Sequence, residues 1–567
     1  MHLRGRPLLR PAGIAGLLIA TGLAWRAWLT ALVVPRTNSD EALIGLMATD
    51  IARGDAAPVF LYGQHYMGAL EAWFAAVAVW LAGPSVPALR LSTTVAFAVF
   101  AVLLYRLTAR LYTPWFAVCV TAALVLGSDR VLKDQLIANG FAWIVPGCAA
   151  LFWGALRLGG PSSRDKSRPG GPSRQDQPPS GGQAGTDELR PPGPRGSRLV
   201  GFAGWGLVAG LVAWTDWLAA PYLLGAVAVL LAGCRRELLG RAGLLAGAGF
   251  LVGVAPQLLH DLTSPLADNS TLAYLRMVFG QDAPGQPPNT LARLHGGLMV
   301  GVPMRMGLCG PGSCTPLAQL CGPVVVGSLI GVVLLAGRRL RQDLRDGAVH
   351  AAGRLGLAVP GLLTIGLYTA SSPAGTTPTE SVRYLCCLVI SLPVVLWPIW
   401  STARRTGRAW SAWPARAAIA VLVATAGTAS LAVLSTVDGH RRAAADEREL
   451  IAELDRRGID RLYTDYWTCQ RLMFATERRI GCASVTAELR RGTDKDPGAR
   501  RRIEAAARPA YVFPAGKPEA TAFVGYLRGL PDGPAVLAGA VQVAGYRLYV
   551  PTGRLAVPVD RADNSAR

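Results

Sequence analysis

The sequence predicts a mainly α-helical, polytopic membrane protein of about eleven transmembrane helices, closed by a C-terminal soluble α/β domain. Three observations carry this. Hydrophobic residues make up 51% of the 567 positions and charged residues only 16%, whereas a soluble domain carries about 25% charged. Mean hydropathy is +0.32. Apolar stretches near the length that crosses a hydrocarbon core, roughly 20 residues as a helix, recur up to residue 436 and then stop. Together these exclude a disordered chain, a small disulfide scaffold and an ordinary cytosolic enzyme.

The expected spans are 12–34, 88–107, 114–128, 140–157, 199–216, 218–233, 241–258, 318–337, 352–370, 382–400 and 416–436. The first, preceded by Arg4, Arg6 and Arg10, is too long for a signal peptide and shows no small-residue cleavage site, so it reads as an uncleaved helix. The stretch 66–82 is apolar but short and contains Glu71. Counting it as a span would reverse every later loop. With it lying along the interface, one set of loops holds 22 Lys and Arg and the opposite set, after residue 88, holds six. The positive-inside rule then makes 66–82 a juxtamembrane helix and puts the N-terminus in the cytoplasm. It also assigns most of the net charge of +21 to cytoplasmic loops, with no need for a nucleic-acid partner.

The domains follow from this division. Residues 1–158 form an N-terminal membrane core with a first external loop at 35–87. Residues 159–198, with nine Gly and eight Pro, cannot bury a core and are expected to be a disordered cytoplasmic linker. Residues 199–436 carry the remaining spans and an external loop at 259–317. Residues 437–567 form the external soluble domain, with a charged helix at Arg441–Arg457 and strands at 461–464, 478–482, 510–513 and 541–550.

The first external loop is densest in chemistry-bearing residues. Asp40 and Glu41 follow the first span directly, and two carboxylates beside a membrane are costly unless water, a metal or a reaction uses them. The competing reading is that one of them caps the helix that follows. Next come Gly54-Asp55-Ala56-Ala57-Pro58 and Tyr62-Gly63-Gln64-His65-Tyr66-Met67-Gly68, then Ala88-Leu89-Arg90-Leu91. Arg383-Tyr384-Leu385 opens a late helix, and Tyr463-Thr464-Asp465-Tyr466-Trp467 lies in the tail.

In that order these segments resemble the membrane-embedded GT-C glycosyltransferases. The subgroup is that of the protein O-mannosyltransferases, the aminoarabinose transferases of lipid A and their bacterial glycosyltransferase family 39-like relatives. The resemblance is best over residues 10–160. It implies an enzyme of hexosyltransferase type that takes a sugar from a polyprenyl-phosphate donor and delivers it, with inversion, to a hydroxyl on an envelope glycan, lipid or protein. Asp40 matches the family's catalytic acid, with Glu41 beside it. An inverting displacement needs such a base at the acceptor hydroxyl. Asp129 or Asp134 matches the position of a second acidic residue. Arg383, with Tyr384 beside it, matches the family's late Arg-Tyr-Leu segment, and a guanidinium there suits a leaving phosphate. Lys133 is a further cation, and Gln64, His65 and Tyr66 are expected to contact sugar or phosphate.

No His/Cys cluster has metal-ligand spacing, and no cofactor is required. Asp40 with Asp129 or Asp134 offers oxygen ligands to Mg2+ or Mn2+, which some members of the resembled family use. An oxidising outer compartment permits disulfides between Cys309 and Cys314 and between Cys469 and Cys482. The alternative class is a transporter or lipid flippase. It would show opposed helices bearing charges and inverted repeats, and no repeat is evident.

Overall fold

The computed structural model describes residues 10–127, 129–159, 195–279, 288–342, 348–404, 409–496, 498–553 and 555. Most of the expected linker at 159–198 lies outside them.

The chain is a multi-pass membrane protein. Among the described residues, nine helices are long and apolar enough to cross a membrane, from Pro11–Ala31 to Ala412–Arg456. Two expected spans are shorter helices, Pro114–Val125 and Ile144–Leu158, with 12 and 15 residues. At 1.5 Å per residue, 15 residues cover about 23 Å. The second begins at Ile144 because residues 139–142 form a turn. Gly140 there has φ +86°, and the buried Glu71 carboxylate accepts the N–H groups of Asn139 and Ala142 at 3.2 and 3.1 Å. Pro114–Val125 is followed, after an 89° bend, by a short helix that runs to Leu136. The last span does not stop at the charged segment. A 3-10 turn at Val433–Thr436 carries it into the helix Val437–Arg456, with no proline to break it.

The segment after the first span folds as a cap on the bundle. Asn38, rather than Asp40 or Glu41, caps the helix Ser39–Arg53, its side chain accepting the Glu41 N–H at 2.8 Å. Gly54 ends that helix in the left-handed conformation at φ +77°, which glycine adopts without steric cost. Phe60 and Gly68 then bridge to form a tight loop, and the helix Leu70–Ala82 follows. One side of it buries Glu71, Ala72, Ala75, Ala76 and Val79. The other exposes Trp73, Phe74, Val77, Trp80 and Leu81, an aromatic stripe suited to a membrane interface.

Beyond the last helix lies a five-stranded sheet of order β2-β1-β3-β5-β4: β1 Arg461–Thr464, β2 Gly481–Ser484, β3 Ala510–Pro514, β4 Val541–Val543 and β5 Tyr546–Tyr549. The first three pair parallel and the rest antiparallel. The expected single strand at 541–550 is a hairpin, because Ala544-Gly545 turns the chain between two complementary runs. The helix Tyr466–Ala475 connects β1 to β2, and the Cys469–Cys482 disulfide ties it to β2. This helix lies on Ser39–Arg53. The Phe474 ring occupies the space where Gly45 has no side chain, so any Cβ there would collide with it. Arg478 clamps the contact with two bonds to Asp50, at 2.7 and 2.9 Å.

Candidate active site

Two adjacent carboxylates, Asp40 and Glu41, have opposite environments. Successive residues on a helix point about 100° apart, so one can face the bundle while the other faces a cleft. Glu41 is fully buried. Both its oxygens are held by Arg90, at 2.8 Å each, and Arg90 also donates to the Val34 and Pro35 carbonyls. Glu41 thus anchors the turn between the first span and the cap.

Asp40 faces the other way, into a cluster drawn from three distant parts of the chain. Arg383 Nη1 lies 3.0 Å from Oδ2. The Tyr466 hydroxyl donates to Oδ1 at 3.0 Å, and Lys495 Nζ is 3.7 Å from the same oxygen. Burial pushes the Asp40 carboxyl up, but Lys495, Arg383 and the hydrogen bonds outweigh it and hold the pKa below the usual 3.8. The same burial lowers Lys495 and raises the Tyr466 phenol. Lys495 also sits 5.5 Å from the Tyr466 ring centroid, on the face that attracts cations.

Tyr466 and Lys495 arrive together because of the parallel sheet. Tyr466 leaves the carboxyl end of β1, and Ser484 at the carboxyl end of β2 holds the loop bearing Lys495. Its N–H donates to Asp494 at 2.8 Å. Arg478 bonds Asp496 at 2.7 Å as well as Asp50, and Arg500 pairs with Asp494. Crevices outside strand carboxyl ends are where open α/β sheets present groups to ligands. Gly63, at φ +70°, presses against the Lys495 backbone and stem, fixing the lysine from the other side.

A cavity opens beside this cluster, and Arg383 lines it. Its wall is apolar, with Phe97, Phe100, Val145 and Val389. Polar residues line it as well, among them Asn139, Asp134, Arg305 and Arg383. Arg305 bonds Asp134 at 2.9 Å and the Cys386 carbonyl at 2.9 Å, and Arg130 lies 3.5 Å from Asp134. The lining therefore sets two guanidinium groups beside apolar side chains.

The structure thus unites Asp40 and Arg383, and Asp134 shares the cavity lining with Arg383. Tyr384 stands next to Arg383, whose guanidinium lies 5.7 Å from its ring centroid. Tyr66 belongs to the same neighbourhood. Its hydroxyl is pushed up to about 12, by burial first and then by Tyr384 and Asp216, with Arg383 opposing. Lys133 lies on the short helix with Asp134 and makes no ion pair among the described residues. Asp129 begins that helix, and its side chain lies outside the described residues. Gln64 is half-buried, and exposed His65 lies against His260, ring centroids 6.0 Å apart. Cys309 is bonded to Cys314 in a separate turn.

The divalent ion considered for Asp40 does not fit these residues. Two cations and a phenol already occupy its oxygens, Asp134 is held by arginines, and among the described residues no group of three or more metal-ligating side chains converges. Sequence reasoning passed over Arg305, Tyr466 and Lys495 as site residues. Tyr466 was visible inside the Tyr463–Trp467 segment. Lys495 carries no signal in a charged loop.

No family model matches the chain, and no curated protein is similar enough to match. Among solved structures, ArnT from Cupriavidus metallidurans bound to undecaprenyl phosphate shares the fold, with a TM-score of 0.57 at 12% identity over 97% of this chain and 99% of that one. Apo ArnT from the same organism gives 0.57 at 13% identity, over 95% and 98%. The GT-C fold expected from the sequence is the fold observed.

Proposed function

We propose that the chain is an integral-membrane glycosyltransferase of hexosyltransferase type, which moves a sugar from a polyprenyl-phosphate donor to an acceptor hydroxyl at the extracytoplasmic face, with inversion and with Asp40 as base. The observation that carries this reading is the juxtaposition of a carboxylate, Asp40, with two cations, Arg383 and Lys495, of which Arg383 also lines a cavity with apolar side chains. The fold shared with a protein crystallised with undecaprenyl phosphate supports it.

The chemistry follows from those groups. The isoprenoid lies against Phe97, Phe100 and Val389, where apolar burial contributes about 25 cal/mol per Å2. The phosphate meets Arg383, with Arg305 in the same lining. The acceptor oxygen attacks the anomeric carbon, the bond from that carbon to the phosphate oxygen breaks, and the acceptor proton passes to Asp40. Charge grows on the departing phosphate, and positioned cations stabilise that growth more than they stabilise the ground state. Without a donor, Arg383 and Lys495 spend their charge on Asp40 and keep it a weak base. A phosphate competes for both cations, and the proton affinity of Asp40 then rises. Glu41 and Arg90 hold the turn from which Asp40 projects.

The test is transfer from radiolabelled polyprenyl-phosphate sugars into envelope material by membranes carrying wild type, Asp40→Asn or Arg383→Ala. Loss of transfer in both variants at undiminished protein level is expected. Wild-type turnover in Asp40→Asn would refute its role as base.

A further inference from the structure

Asp216 stands apart from the other buried acids. Among the described residues, Glu41 has Arg90, Glu453 has Arg456 and Arg457, and Asp496 has Arg478 and Arg502. Glu71 and Asp465 each accept at least two N–H groups. Asp216 is 4% exposed and, among the described residues, pairs with no cation and accepts one hydrogen bond, from the Leu218 N–H to Oδ1 at 2.8 Å. That bond caps the turn Trp217–Ala219. A neutral Asn or Ser caps as well, so the cap does not account for an ionisable side chain here, where burial raises the pKa to about 7 and ionisation is costly unless donors or a cation meet it.

Its surroundings point to a ligand. The Tyr66 loop is pressed onto the helix end that bears Asp216. The Gly68 N–H donates to the Thr215 carbonyl at 2.9 Å, a Cβ at Gly68 would strike the Trp214 carbonyl, and Trp214 Nε1 donates to Val59. On the other side, Trp217–Ala219 touches the segment Val382–Ser391, which carries Arg383 and Tyr384. Three rings form a continuous wall. Trp217 stacks on Tyr274 at 5.8 Å, and Tyr274 meets Tyr66 edge-on at 6.3 Å. Aromatic faces beside an under-coordinated carboxylate match the C–H face and polar rim of a sugar ring.

We infer that Asp216, with Tyr66, Tyr274 and Trp217, forms the pocket that recognises the sugar of the donor lipid. The inference rests on the glycosyltransferase reading and adds to it the part of the substrate that these residues take. The free oxygen of Asp216 accepts hydrogen bonds from two vicinal hydroxyls or from an amino group, and the rings cover the apolar face. A site built around such donors discriminates strongly against a ligand that lacks them, because its own polar groups then stay unpaired.

Native mass spectrometry of the purified full-length protein tests this with three probes: undecaprenyl phosphate, undecaprenyl-phosphate mannose and undecaprenyl-phosphate glucosamine. Wild type is expected to hold at least one sugar-bearing lipid about tenfold tighter than the bare carrier. Asp216→Asn, which keeps the cap, and Tyr274→Ala are each expected to abolish that preference and leave bare-carrier binding unchanged. A preference for the mannose lipid assigns hydroxyls to Asp216, and one for the glucosamine lipid assigns an amino group. No preference in wild type, or a preference intact in both variants, overturns the pocket. Failure of wild type to bind the bare carrier overturns the glycosyltransferase reading itself.

Discussion

Lys495 reaches to 3.7 Å from Asp40 although the two stand near opposite ends of the chain. The tail therefore completes the cluster rather than merely decorating the bundle. Its sheet supplies a lysine and a phenol, and the bundle supplies the carboxylate and a guanidinium.

Lys495→Ala is accordingly expected to lower sugar transfer about a hundredfold, the scale seen when one preorganised donor to a developing anion is removed. Lys495→Arg is expected to restore part of it. Initial rates on purified protein, with size-exclusion profiles as the folding control, check this. Full turnover in Lys495→Ala would remove the tail from the chemistry.

Arg90→Met leaves Glu41 buried without the cation that holds both its oxygens. Breaking such a pair costs about 3–5 kcal/mol, whereas an apolar replacement of both partners is often neutral. The single variant is expected to melt well below wild type, and Glu41→Leu with Arg90→Met to melt above the single. Thermal unfolding in detergent measures both.

Acid should weaken the Asp40 cluster in a defined direction. Its folded pKa lies below the usual 3.8, so its stabilisation is fully present above the unfolded value and is lost as pH falls through the folded one. The gap in melting temperature between wild type and Asp40→Asn is therefore expected to hold from pH 7 to 5 and to close only once the pH falls below the usual 3.8. A gap already closed at pH 5 would mean that Asp40 is not paired with Arg383 and Lys495.

The Cys469–Cys482 bridge closes a loop with a sequence separation of 13 residues, for which chain entropy assigns about 3 kcal/mol. Cys469→Ser with Cys482→Ser is expected to lower the melting temperature. Because this bridge braces the helix that begins at Tyr466, transfer should fall as well. Parallel melts and rates with and without reductant in wild type give the same comparison.

Much of the fold was legible because membrane burial writes itself into local composition. Nine of the eleven expected spans are helices of crossing length, since one long apolar run suffices to specify each. Of the two that fell short, the one beginning at Ile144 depended on a distant contact, since Glu71 holds the turn before it. Asp40 and Glu41 were equally prominent in sequence. Neither their adjacency nor their flanks told that Arg90 would take one and leave the other to Arg383.

The sequence by itself determined the multi-pass helical class and the α/β tail, and it singled out Asp40 and Arg383 as candidates. Each of these rests on apolar runs, strand patterns or short motifs that neighbouring residues define. Only the tertiary structure decided that Glu41 is an anchor, that Arg305 lines the cavity, that Tyr466 and Lys495 join Asp40, and that Asp216 meets no cation among the described residues. Those assignments depend on which charges meet through space, and electrostatic pairing across the fold leaves no periodicity in the chain that makes it.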